Sequence, residues 1–122
     1  MFKAMVVDDS RAVRMILCRI LRDFGYEVCE AADGQEALAK LSGGNAVSLV
    51  LVDWNMPNLD GLAFVRSLRS DPRNAAVKVM MVTTETEMER MVTALEAGAN
   101  EYVMKPFTAE IISDKLRLLG VL

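Results

Sequence analysis

Asp8 and Asp9, Asp53, Thr83 and Lys105 each follow directly on a short apolar run, at residues 4–7, 47–52, 77–82 and 102–104. Three carboxylates brought together repel one another and need a cation. The ligand atoms on offer are nearly all oxygen, which favours a hard ion, Mg²⁺ with Mn²⁺ as a substitute, over zinc or copper. Asp9 and Asp53 suit direct ligation, with Asp8 holding water or an outer position, and the backbone carbonyl of Asn55 can add an oxygen as the chain turns away. Lys105 offers a counter-charge to a phosphoryl oxygen, and Thr83 a hydroxyl to another. The set makes a phosphoryl-transfer clamp, in which catalysis is positioning plus charge neutralisation. With no His in the chain, a Ser-His-Asp mechanism and His-type zinc sites are excluded. An aspartate carboxylate is then the best acceptor, and Asp53 is the best placed of the three. One Asp after a strand is usually a turn or cap residue; four segments converging in this way are poorly explained by coincidence.

The elements that must position these residues alternate regularly. The four apolar runs suit strands covered on both faces, as in a parallel sheet. Between them the spacing is helical. Val13, Ile16, Leu17, Ile20, Leu21 and Phe24 form one stripe over residues 11–24, with Ser10 as N-cap and Gly25 as stop. Met88, Met91, Val92 and Leu95 repeat the pattern up to Gly98, and a shorter stripe runs from Asp60 through Leu62, Val65 and Leu68. A last helix over 108–119 is capped by Thr108 and buries Ile111, Ile112, Leu116 and Leu119. The faintest pieces are a strand at 27–30 and a helix at 35–41. Strand then helix, five times over, predicts a doubly wound α/β three-layer sandwich, with 2-1-3-4-5 as the expected strand order. In such sheets ligands bind beyond the carboxyl ends of the strands, where the order reverses. That edge is where the acids, the threonine and the lysine fall.

Composition narrows the alternatives. The 122 residues are 52% hydrophobic, enough for one domain's core. With 14 basic against 17 acidic side chains, the charge of −3 argues against a mainly electrostatic nucleic-acid binder. Cys18 and Cys29 lie in apolar surroundings and read as free thiols suited to a reducing cytoplasm. The apolar start is too short for a membrane span or signal core. No GxGxxG or GxxxxGK[ST] loop supports nucleotide binding.

The motifs themselves are VVDDS at 6–10, ADGQEAL at 32–38, LVDWNMPNLDGL at 51–62, MVTTE at 81–85 and EAGANEYVMKPF at 96–107. In this order and spacing they resemble the receiver domain of two-component response regulators, specifically the stand-alone chemotaxis (CheY-type) kind. The resemblance covers essentially the whole chain and implies a CheY/flavodoxin-like fold over 1–122, with no output domain. It implies that Asp53 is the phosphoacceptor and that Asp8, Asp9, Asp53 and Asn55 form the metal site. Asp53, Thr83 and Lys105 are the catalytic set, the Lys105–Pro106 peptide is cis, and Thr83 and Tyr102 form a switch. The phosphoryl donor is a histidine kinase or histidine phosphotransfer protein, which brings the missing imidazole. By the same resemblance the expected output partner is a flagellar motor switch protein, with a phosphatase as a further partner, and the expected state is a cytoplasmic monomer. Asn55, Thr84 and Glu85 set the rate of self-dephosphorylation, with Thr84 bulkier than the residue that leaves the most open approach for water.

Other readings stay open at this stage: a phosphate sink or relay shuttle, a receiver that binds without being phosphorylated, and an unrelated phosphotransferase. Further expectations concern single side chains. Trp54 is expected half-exposed at the site rim. Met80, Met81, Met88, Met91 and Met104 are expected to fill the core. For Tyr102, half-buried packing competes with the switch role. Glu87, Glu89, Arg90, Glu96, Glu110, Asp114 and Lys115 are candidate surface contacts, and Arg11, Arg14, Arg19 and Arg22 form a basic edge facing a partner.

Overall fold

The structure, a computed structural model, describes residues 2–84 and 88–122. Its elements follow in the order β1 (Lys3–Val7), α1 (Arg11–Asp23), β2 (Glu27–Ala31), α2 (Gly34–Ser42), β3 (Leu49–Val52) and α3 (Gly61–Ser70). After a single 3₁₀ turn at Pro72–Asn74 come β4 (Lys78–Thr83), α4 (Met88–Ala97), β5 (Glu101–Met104) and α5 (Ala109–Leu118). All pairings are parallel, in the order β2-β1-β3-β4-β5.

Alternation along the buried strands divides the core. One row, Val7, Val52, Met81 and Tyr102, runs in register across four strands and meets Ala37, Phe64, Val65, Leu68 and Ala94 of α2, α3 and α4. The opposite side chains, among them Val6, Leu51, Met80 and Val103, meet Leu17, Cys18 and Leu21 of α1 and Ile112 and Leu116 of α5. Both sheet faces are therefore covered, which is why the strands read as continuous apolar runs.

Local chemistry sets the boundaries. Ser10, Asp33, Asp60 and Thr108 each accept a hydrogen bond from the backbone N–H three residues on, satisfying donors that the first helical turn leaves unpaired. The faint helix at 35–41 is real and one residue longer at each end, because Asp33 caps it and Glu36 reaches back to the Ala32 N–H. Gly25 follows α1 with φ +93°, the left-handed conformation that ends a helix.

Cys18 and Cys29 are free, and burial pushes the Cys18 thiol up to about 11, leaving it unreactive at neutral pH. Among the described residues, no helix is long and apolar enough to cross a membrane.

Candidate functional site

The order reverses between β1 and β3, and the acids lie at that switch. Asp8 follows β1 and donates its N–H to the Ala31 carbonyl; Asp53 follows β3 and donates its N–H to the Val7 carbonyl. These backbone bonds extend the sheet by one step on either side and fix both carboxylates at its edge. Carboxylate oxygens of Asp8, Asp9 and Asp53 come within 4.8 Å of one another. Asp8 is 1% exposed and Asp53 8%, whereas Asp9 is exposed. The cleft beside them is lined by Asp9, Asn55, Met56, Pro57 and Asp60.

Lys105 follows β5 and crosses to this cluster. Its N–H donates to the Thr83 carbonyl at 2.9 Å, holding the segment beside the end of β4. Its ammonium donates to Asp8 Oδ2 at 2.9 Å and to Asp53 Oδ2 at 3.2 Å. The Lys105–Pro106 peptide is cis. Thr83 is fully buried at the end of β4. The other oxygen of Asp8 and of Asp53 has its own donor: Ser10 N–H to Asp8 Oδ1 at 2.8 Å, and Trp54 N–H to Asp53 Oδ1 at 2.7 Å.

Burial pushes the Asp8 carboxyl above its ordinary value, outweighing the bonds from Lys105 and Ser10 that pull it down. Burial also presses on the Lys105 ammonium, but its bond to Asp8 and the charges of Asp53 and Asp8 together raise it above the usual lysine value. Lys105 is thus a fixed cation, and Asp8 is an acid held ionised against its surroundings. Such a site suits a further cation. Its donors are all hard oxygens, and the exposed Asp9 leaves the cluster accessible from the cleft.

A profile of the response regulator receiver domain matches residues 4–117. The chain belongs to the response regulator receiver family. This receiver is 42% identical over 118 residues to chemotaxis protein CheY1 of Helicobacter pylori, covering 96% of this chain and 95% of that one. It is 42% identical over 115 residues to chemotaxis protein CheY of Pseudomonas aeruginosa, at 93% and 92% coverage. Among solved structures it superposes on chemotaxis protein CheY4 of Vibrio cholerae with a TM-score of 0.91, 36% identity and 98% coverage of both chains. The receiver is of the CheY type, with the acidic cluster of a phospho-aspartate and metal site and the mechanism of a domain that phosphorylates and dephosphorylates itself.

Several side chains of the receiver lie elsewhere than the sequence suggests. Trp54 is 4% exposed, not half-exposed, because it packs in the core beneath α2, α3 and α4 and Arg90 lies over its ring. Met80 and Met81 fill the core, but Met88 (76% exposed) and Met104 face outward. Met104 joins Leu95 and Ile111 on the α4–β5–α5 side, around a cleft that also meets Met91, Tyr102 and Pro106. This side has an apolar centre rather than only the charges expected of it. Lys115 is tied to Glu101 at 3.1 Å. Tyr102 is 6% exposed with its ring inward. Arg14 is not a free member of a basic edge: it donates to the Asp8 carbonyl at 2.7 Å and to Glu30 at 3.1 Å. Thr84 is exposed, while Glu85 and Glu87 lie outside the described residues.

Asp60 and Arg14 are site residues that spacing alone did not flag. Asp60 was legible as a helix start, but the fold also turns it toward the metal cleft.

Proposed function

We propose that this protein is a single-domain response regulator that accepts a phosphoryl group on Asp53 from a phosphohistidine, changes its affinity for a partner, and then dephosphorylates itself. The observation that carries this reading is the double contact of Lys105 with Asp8 and Asp53, with Asp9 beside them. Asp8 and Asp53 are held alike, one oxygen on the lysine and the other on a backbone N–H; Asp53 is singled out by its strand, since β3 pairs with β4 and so ends beside the buried Thr83.

Asp8, Asp9, Asp53 and the Asn55 carbonyl would hold Mg²⁺ or, in its place, Mn²⁺. Bound there, the ion offsets the charge of the carboxylates and of the incoming phosphoryl oxygens. The Asp53 carboxylate attacks phosphorus in line, the bond from phosphorus to the donor's imidazole nitrogen breaks, and the imidazole leaves with a proton. Lys105 and Thr83 bind oxygens of the transferred group. In dephosphorylation, water attacks the same phosphorus in line, the bond from phosphorus to the Asp53 oxygen breaks, inorganic phosphate departs with the water's oxygen, and the carboxylate is restored. Asn55 beside the cleft and the exposed Thr84 are the residues that would set how fast water makes that approach. Thr83 and Tyr102 relay the change to the apolar α4–β5–α5 face.

The partners on this reading are a histidine kinase or phosphotransfer protein and a downstream effector. The chemotaxis names of the relatives favour a flagellar motor switch protein as that effector, and a phosphatase as a further partner. Incubation with phosphoramidate and Mg²⁺ should give one phosphoryl adduct by intact mass, absent without Mg²⁺ and absent in Asp53→Asn. An adduct that persists in Asp53→Asn refutes the acceptor assignment. Capture of partners with and without beryllofluoride separates the outputs: a motor switch protein supports motor control, and kinase or phosphotransfer proteins alone support a relay or phosphate sink.

A further inference from the structure

Arg90 stands in the first turn of α4 with its guanidinium carbon 5.3 Å from the centroid of the Trp54 indole, the geometry of a cation–π contact. Trp54 is the residue after Asp53. Its N–H is spent on the Asp53 carboxylate and its carbonyl accepts from Gly61 N–H at 2.8 Å, so its backbone cannot move without moving the acceptor. Arg90 itself is exposed. Its guanidinium lies over the ring. α4 also carries Met91 and Leu95 of the apolar face. One side chain therefore links the acceptor loop to the helix that builds that face.

We propose that Arg90 is a positioning residue that couples α4 to the charge on Asp53, lying on the Trp54 indole while Asp53 is unmodified and being drawn off it when Asp53 carries a phosphoryl group. The inference rests on Asp53 being the acceptor. An acyl phosphate adds negative charge and three acceptor oxygens. A guanidinium binds such oxygens through directed, charge-assisted hydrogen bonds, which outweigh its attraction to an indole at an exposed position. Moving the guanidinium toward the phosphoryl group pulls on the first turn of α4 and uncovers Trp54. The charge of Arg90 then favours the modified state, and its loss weakens binding of any phosphoryl mimic at Asp53.

Trp54 is the sole tryptophan of the chain, so its emission reports on both halves of this proposal in the intact protein. Without ligand, Arg90→Ala should raise acrylamide quenching of Trp54 about twofold, since it removes the cover. Titration with beryllofluoride at fixed Mg²⁺ should then separate charge from bulk. Arg90→Lys should bind within about threefold of wild type, and Arg90→Gln, planar but neutral, about tenfold more weakly. Unchanged quenching in Arg90→Ala, or equal midpoints for Arg90→Gln and wild type, overturns the proposal. Should wild type and Asp53→Asn respond identically to the mimic, the acceptor assignment fails and this inference with it. If wild type responds, Asp53→Asn does not, and the Arg90 variants all match wild type, only the role of Arg90 is refuted.

Discussion

Gly61 opens α3 against the backbone of Asp53, the proposed acceptor, and a methyl group there has no space. A Cβ built on Gly61 would overlap the Asp53 carbonyl oxygen and lie only 2.9 Å from the Asp53 carbonyl carbon and from Trp54 Cα. These are backbone atoms and cannot rotate away. Comfortable carbon contacts begin near ~3.5 Å, so the loop after β3 must move by at least about half an ångström, and by more to clear the oxygen. Helix propensity acts in the other direction: replacing Gly by Ala in a helix gains about 1 kcal/mol, and less at a first turn. Overpacking against backbone costs about 3 kcal/mol. Sterics win, and Gly61→Ala should lose about 2 kcal/mol net, or roughly 8 °C in Tm for a domain of this size. The displaced atoms belong to Asp53, so phosphorylation from phosphoramidate should slow about a hundredfold, as expected for a reacting group misplaced by about 1 Å. Urea denaturation and timed intact-mass measurements read the two effects separately. A Gly61→Ala protein as stable as wild type, with an unchanged phosphorylation rate, refutes the claim that this contact fixes the acceptor.

Three further substitutions probe other contacts. Burial holds the Asp8 carboxyl above its ordinary 3.8, so the folded state binds that proton more tightly than the unfolded state, and stability falls as pH rises from 3.8 through the raised value. Asp8→Asn should therefore be more stable than wild type at pH 7 in urea, with the advantage shrinking as pH drops toward 3.8, and should bind Mg²⁺ more weakly in a Trp54 titration. Arg69 donates to the carbonyls of Asn74, Val77 and Gly98 and to Asn100 Oδ1; Lys cannot reproduce that fork, and Arg69→Lys should cost about 2 kcal/mol in chemical denaturation. Thr84→Ala should speed loss of radiolabelled phosphate about threefold, a barrier change of under ~1 kcal/mol; an unchanged half-life removes Thr84 from the approach path of water.

Much of this was legible because a buried parallel sheet writes itself as apolar runs and a packed helix as a stripe. The row Val7, Val52, Met81 and Tyr102 is one face of four such runs, and each run ends on the polar residue that the fold brings to its edge. What misled was the side chain whose surroundings come from a distant segment. Trp54 was expected half-exposed at the site rim from its place next to Asp53, yet α4 brings Arg90 over it from 36 positions away. Met88 and Met104 fit an apolar pattern, but a stripe does not say which of its members lies past the edge of the core. Arg14 looked like one charge among four on α1. Only the fold places it between the Asp8 carbonyl and Glu30.

The site is assembled at the expense of stability, and its charges show why a lysine stands at its centre. Asp8 is buried as deeply as a core valine, and an unpaired carboxylate there would protonate instead of remaining a ligand. Lys105 prevents this without neutralising the cluster: one ammonium is shared between two acids, and Asp9 adds a third negative charge in the open. The deficit leaves room for a divalent cation, which a second lysine would have removed. A phosphoryl group on Asp53 shifts the same balance, because its oxygens compete with Asp8 for the shared ammonium. Lys105 is also joined to Thr83 through the backbone, which ties the lysine's segment to the end of β4, directly before the residues that lead into α4. The charge deficit that suits the cluster to a divalent cation is therefore also what would make it respond to a phosphoryl group on Asp53.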